Sequence, residues 1–292
     1  MLIRVPATSA NLGPGFDSFG IAWQIYNEIS FELSEKTSIS GCEERFCNEE
    51  NLALRAFRAA CERKQVPAPA VSIRFGRTEI PVSRGLGSSA SLIAAGVTAA
   101  NALCSLHMSD AELLAAATAL EGHPDNVSPA LFGGFTASLL DSSGALTAQF
   151  PLSEKLHFAV LVPPFELSTE KARGVLPPSY SRADAVFNIS HAALMLSALA
   201  SGDAALLSRA MCDRIHEPYR RALIPGFDAA ERCAKECGAA AVCISGAGST
   251  MLCISDRAEF AEALSEALPA LLPGWRVIAA QNEHTGAAIL EE

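Results

Sequence analysis

The sequence predicts an α+β protein of two units divided near residue 152, and three observations carry that prediction. A chain of 292 residues, 50% of them hydrophobic and only 18% charged, is long enough to bury one large core or two medium ones. The first half alternates strand-like and helical stretches around loops rich in glycine and serine. The second half runs strand, helices, strand, strand, helix, strand, the β-α-β-β-α-β order of a ferredoxin-like unit. The expected units are residues 1–152 and 153–292.

In chain order, Leu2–Val5 reads as a short strand, and Ile29, Phe31 and Leu33 alternate with polar neighbours as in a half-buried strand. Asn51 to Lys64 carries Leu54, Phe57 and Cys61 at helical spacing, and Val71, Ile73 and Phe75 alternate again. Ser89 to Cys104 is a helix of small apolar residues on every side, so it should be buried under a sheet. Ser109 and Glu112 form a capping-box pattern for a helix ending near Glu121-Gly122. Phe135 to Leu140 is a strand running into the turn Asp141-Ser142-Ser143-Gly144. Beyond the boundary, Leu156–Val162, Ala239–Ile244, Thr250–Ile254 and Trp275–Ala279 are strands. Helices fill Thr169 to Cys237, broken at Pro177-Pro178 and Pro218, and Ser255-Asp256 caps another through about Leu268.

Composition excludes several classes. With 22 Lys+Arg against 32 Asp+Glu, the net charge of −10 argues against nucleic-acid binding. No uninterrupted apolar run approaches the roughly 20 residues of a membrane span. Met1 to Pro6 has no basic stretch followed by an apolar one, so a cytoplasmic protein is expected. The nine cysteines are odd in number and include no C-x-x-C pair, which favours reduced structural thiols over disulfides or zinc.

Chemistry concentrates in four loops. Pro81-Val82-Ser83-Arg84-Gly85-Leu86-Gly87-Ser88-Ser89-Ala90-Ser91 ends where a helix begins, and unpaired N–H groups there suit phosphate. It lacks the lysine of a Walker A loop and fits the dinucleotide fingerprint only loosely. Pro6 to Asp17 reads as a second loop carrying Asn11 and Asp17. Glu121-Gly122-His123-Pro124-Asp125-Asn126-Val127 reads as a helix-ending turn. Ser245-Gly246-Ala247-Gly248-Ser249-Thr250, between two strands, is a second candidate anion cradle. Each alone is an ordinary turn; together they place phosphate-type loops beside carboxylates.

These four segments, with Pro129-Ala130-Leu131-Phe132-Gly133-Gly134 and His216-Glu217-Pro218-Tyr219-Arg220, resemble the GHMP small-molecule kinase superfamily over nearly the whole chain. Within it they look most like the branch that phosphorylates homoserine, with Ser249 standing where that branch usually has proline. The resemblance implies a ribosomal-protein-S5-like N-terminal domain, a ferredoxin-like C-terminal domain, ATP as co-substrate and Mg2+. It places ATP's phosphates on Pro81–Ser91, the nucleoside near Asn51, and the metal on Ser89 and Glu121. It gives the substrate ammonium to Asp17, the carboxylate to Arg173 and Arg220, and the hydroxyl to Asn11. His123, Thr169, Gly246 and Gly248 complete the substrate side, and homodimers are common in the family. Asn126 occupies the position of the aspartate base of mevalonate-type relatives, and an amide cannot accept the proton. A base-free transfer is therefore expected. The rival readings are a mevalonate or sugar kinase, which would not need both a carboxylate and an ammonium site, and a ligand-binding module without turnover. A serine hydrolase is disfavoured, because Gly87-Ser88-Ser89-Ala90-Ser91 lacks the closing glycine of a nucleophile elbow.

Overall fold

The computed structural model describes residues 1–290. The first half comprises β1 (Leu2–Ala10), β2 (Phe19–Leu33), β3 (Ser38–Ser40), α1 (Leu52–Arg63), β4 (Val71–Thr78), α2 (Ser88–Leu103), α3 (Asp110–Glu121), α4 (Pro124–Phe132), β5 (Phe135–Asp141) and β6 (Gly144–Phe150). The second comprises β7 (His157–Val162), α5 (Thr169–Gly174), α6 (Arg182–Ser201), α7 (Ala204–Ala210), α8 (Glu217–Arg220), α9 (Phe227–Glu236), β8 (Ala241–Ile244), β9 (Met251–Ser255), α10 (Phe260–Leu271), β10 (Arg276–Ala280) and β11 (Ala288–Leu290).

The second sheet has the strand order β10-β7-β9-β8, antiparallel throughout, as a ferredoxin-like unit requires. The first sheet runs β11-β1-β2-β4-β3, with β5 and β6 branching from β2. Its last strand corrects the expected unit 153–292. After β10 the chain returns to the first sheet, where β11 pairs with β1 and the Glu283 amide donates to the Ala22 carbonyl. The two halves are thus joined by the tail as well as by residues 151–156.

Several local expectations also shift. Pro6 to Ala10 is not loop but the end of β1, paired with β2 across a bulge between Pro6 and Ala7. The turn after α3 is shorter than expected: Gly122, at φ 90°, ends α3, and His123 already caps α4. The proline at position 124 then starts α4, because its missing N–H would be unpaired in a first helical turn anyway. Ser255 belongs to β9, and α10 starts at Phe260 and continues through Pro269. There the buried face of Phe260, Leu264 and Leu268 outweighs the lost backbone bond. By length and composition α6 could cross a membrane, yet it carries Arg182, Asp184, Asn188 and His191 and packs Met195, Ala198 and Leu199 into the core.

The first core lies between β1, β2 and β4 on one side and α1, α2 and α3 on the other. As its small residues predict, α2 is buried along most of its length. Close helix crossing is the reason for that composition. A methyl group on Gly96 would lie 2.3 Å from the Ala53 carbonyl oxygen and 2.7 Å from the Ala56 Cβ of α1. Gly96→Ala should therefore force α1 and α2 apart and lower stability by about 1–3 kcal/mol in denaturant unfolding. Unchanged stability would show that the crossing has slack.

Candidate functional site

The site begins where α2 does. Gly87 caps the helix at φ 69°, and the free amides of its first turn open onto a cavity of about 750 Å³. Val82, Ser83, Arg84, Gly85, Gly87, Ser88 and Ser89 line it, as the loop's composition suggested, whereas Pro81 stays outside the wall. Leu86, Ala90 and Ser91 do not: Leu86 and Ala90 are buried in the core, and the Ser91 hydroxyl donates to the Ser88 carbonyl and accepts from Asn27. Asn51 reaches the cavity wall while capping α1, its side chain accepting from the Ala53 amide.

The end of α3 brings Glu121 to the same wall, where its carboxylate accepts a hydrogen bond from the Ser89 hydroxyl. Burial pushes the Glu121 carboxyl above its ordinary range, with Ser89 and His123 pulling the other way. A carboxylate and a hydroxyl on a cavity wall, with no cation paired to the carboxylate among the described residues, form the hard-oxygen set that magnesium prefers. Asn126, in the first turn of α4, also lines the cavity, and its amide oxygen accepts from the Thr8 hydroxyl at 2.8 Å.

Beside this wall lies a charged group from both halves of the chain. Arg173 closes its guanidinium fork on Asp17, at 2.6 and 3.1 Å. His123 Nδ1 is hydrogen-bonded to a buried Asp125 carboxylate whose other oxygen has no partner. Asp125 raises the His123 imidazole above its ordinary value, against the opposing effect of burial. Asp17, His123 and Asp125 offer ligand atoms within 4.8 Å of one another, an acidic patch suited to a cation or an ammonium. Arg220 is fully buried and has no carboxylate partner among the described residues. Thr169, the first residue of α5, and Gly246 and Gly248 line the cavity near this group.

One sequence expectation fails here. The Ser245–Thr250 loop is not an anion cradle, because four of its amides are spent: Ser245 N on the Thr250 carbonyl, Gly246 N on the Ala10 carbonyl, Gly248 N on the Ser245 carbonyl, and Thr250 N on the Arg84 carbonyl. It clamps the two halves together instead. The Asn11 amide donates to the Gly246 carbonyl at 2.6 Å and accepts from the Asp17 amide, which leaves its second N–H and second lone pair uncommitted. Sequence reasoning passed over Phe16, whose ring lies under both Arg173 and Arg220 and stacks on His216. A lone aromatic beside Asp17 carries no local signal for that role.

Glu217 holds the clamp from behind, accepting from the Ile244 amide at the end of β8. Burial pushes its carboxyl from 4.5 up to about 8.

The profile for the GHMP kinases N terminal domain matches residues 51–134, and that for GHMP kinases C terminal matches residues 195–274. A homoserine kinase of Clostridium botulinum is 40% identical over 292 residues, covering 99% of this chain and 98% of its own. One from Synechococcus is 46% identical over 266 residues, covering 88% and 87%. The crystal structure of homoserine kinase from Cytophaga hutchinsonii superposes with a TM-score of 0.89 at 30% identity, covering 99% and 97%.

The raised Glu217 carboxyl yields a signed prediction. Because folding favours its neutral form, its contribution is complete below about pH 4.5 and is lost as pH rises towards 8. Glu217→Gln keeps the acceptor for Ile244, so its stability relative to wild type should improve from pH 5 to pH 8. A difference independent of pH would place the carboxyl in its ordinary range.

Proposed function

The chain belongs to the GHMP kinase superfamily and, within it, to the homoserine kinase family, and from that premise we propose how its residues transfer phosphate from ATP to the side-chain hydroxyl of L-homoserine. One observation carries the assignment of roles. The phosphate-type helix start with Ser89 and Glu121 lies directly beside a group that gathers carboxylates and two arginines, Arg173 paired with Asp17 and Arg220 without a carboxylate partner among the described residues. Homoserine is a zwitterion with a primary hydroxyl, and this juxtaposition matches its three functions. Sugars offer no carboxylate for the arginines, and mevalonate offers no ammonium for the acidic patch.

The amides at the start of α2 bind the phosphates, and the loop before it follows the nucleotide towards Asn51. Ser89 and Glu121 hold Mg2+, which neutralises phosphate charge when bound. Asp17 takes the substrate ammonium and in doing so releases Arg173, whose fork then receives the carboxylate. The substrate hydroxyl oxygen attacks the γ-phosphorus and ADP leaves. With Asn126 in place of a base, the hydroxyl proton passes to the transferred phosphate in a loose transition state. Asn126 and Thr8 orient the reacting groups rather than accepting the proton.

Assays with magnesium-ATP and homoserine, mevalonate or galactose should give product with homoserine alone. Turnover of another alcohol with none of homoserine would overturn the assignment. Ser89→Ala and Glu121→Gln should raise the magnesium requirement with little change in melting temperature, and a normal rate at limiting magnesium would remove either residue from the metal site. Asp125→Asn tests the base-free route: a fall in kcat of roughly 10²–10⁴-fold in a folded variant would identify general-base catalysis instead. For the carboxylate site, Arg173→Ala or Arg220→Ala should lower kcat/KM for homoserine about 10–100-fold, the loss of one charge-assisted hydrogen bond. Both variants should lose little further activity on homoserinol, which lacks the carboxylate. Equal losses on the two substrates would assign the arginines to phosphate or structure.

A further inference from the structure

Arg220 is less free than a carboxylate-binding arginine needs to be if it is to use its whole fork. Its Nε donates to the Ala172 carbonyl at 3.1 Å, and its Nη1 donates to the Gly246 carbonyl at 3.2 Å and to His216 Nδ1 at 3.3 Å. Three of its five N–H groups are therefore committed, and the pair on Nη2 is left for a ligand. A buried guanidinium with no carboxylate partner is costly, and its direction is set by whatever holds Nη1.

His216 is the side chain that does so. It is fully buried, and its Nε2 lies 2.8 Å from the Gly13 carbonyl. A carbonyl only accepts, so the ring proton sits on Nε2 and the Nδ1 lone pair faces Arg220. Burial lowers the imidazole below its ordinary value, consistent with that neutral form. The ring is fixed by its backbone: Asp213 accepts from the His216 amide at 2.7 Å and the Glu217 amide at 2.8 Å. The other Asp213 oxygen accepts from Asn188 at 2.6 Å and from the Ile215 amide at 3.0 Å.

We propose that His216, held in place by Asp213, is a positioning residue that orients Arg220 so that only Nη2 addresses the substrate carboxylate. This rests on the homoserine reading of Arg220. It makes Arg173 the bidentate partner and Arg220 a one-nitrogen anchor. It also explains why a histidine stands four residues before the arginine, where hydrophobic packing alone would accept leucine.

The substitutions that separate the two imidazole nitrogens test it. His216→Asn sets an amide oxygen near the Nδ1 position and keeps the acceptor for Arg220. His216→Gln reaches the Nε2 position, keeping the Gly13 contact and losing that acceptor. We expect His216→Gln to raise KM for homoserine about 10-fold, the effect of one hydrogen bond to a charged group. Its KM for ATP should be unchanged, its KM for homoserinol should equal that of wild type, and His216→Asn should restore most of the loss. Arg220→Leu, measured alongside, separates the two ideas. If it leaves homoserine KM unchanged, the substrate reading of Arg220 fails. If it raises KM while His216→Gln does not, or if Asn and Gln behave alike, the positioning role fails. Should the variants not fold, the ¹⁵N shifts of the wild-type ring decide: a neutral ring protonated on Nε2 supports the proposal, and an imidazolium or a ring protonated on Nδ1 overturns it.

Discussion

The contact between Gly85 and the Ser245–Thr250 loop holds the two halves of the active site in register. The Ser245 hydroxyl donates to the Gly85 carbonyl at 2.6 Å, and the Thr250 amide donates to the Arg84 carbonyl at 3.0 Å. A Cβ on residue 85 would lie 2.2 Å from the Ser245 carbonyl oxygen, and the backbone there has φ 76°, so glycine is required twice over. The second of these ties runs backbone to backbone, so it places one loop against the other independently of side-chain identity. The cavity wall follows from them. One side of it comes from the start of α2, and the other from a loop that enters β9.

The Gly246 carbonyl extends the same tie to the charged residues. It accepts from Asn11 in the first half and from Arg220 in the second. Asn11 in turn holds the Asp17 amide, and Asp17 holds Arg173. One peptide group thus sets the relative positions of Asn11, Asp17, Arg173 and Arg220. These hydrogen bonds sit beside a shared apolar core, in which Ile21, Trp23 and Phe135 of the first half pack with Phe158, Val160 and Met195 of the second. The returning tail adds a second constraint, since β11 is an edge strand of the sheet that carries Asn11.

The local electrostatics are poorly balanced for stability and well suited to a ligand. Glu121 is pushed towards its neutral form, one Asp125 oxygen is buried without a partner, and Arg220 has no carboxylate hydrogen-bonded to it among the described residues. Each is a cost in the protein alone and a gain once an oppositely charged group arrives. Other buried polar groups are paired, as at Trp23 with Ser9 and Ser138 with Ser128, while Thr118, Thr250 and Asn282 each keep one oxygen without a partner.

Much of this was legible in the sequence, for physical reasons. Periodicity located β7, β8, β9 and β10 because a half- or fully buried strand must repeat its apolar residues in short runs, and the small-residue run of α2 marked a helix packed on all sides. The phosphate-type loop could be read because glycine at a helix start has a local cause. Its neighbour between β8 and β9 has the same local composition but spends two amides on the opposite half of the chain and two within itself, a difference that local composition does not encode. The continuation of β1 through Pro6 to Ala10 likewise depended on pairing with β2, and the return of residues 288–290 to the first sheet on an edge strand far away in sequence. The sequence determined which residues could carry charge, bind phosphate or cap a helix. Only the tertiary structure decided that Asp17 faces Arg173 and that His216 fixes Arg220, because the first contact joins segments 156 residues apart and the second depends on the Gly13 carbonyl, 203 residues away, which holds the His216 ring.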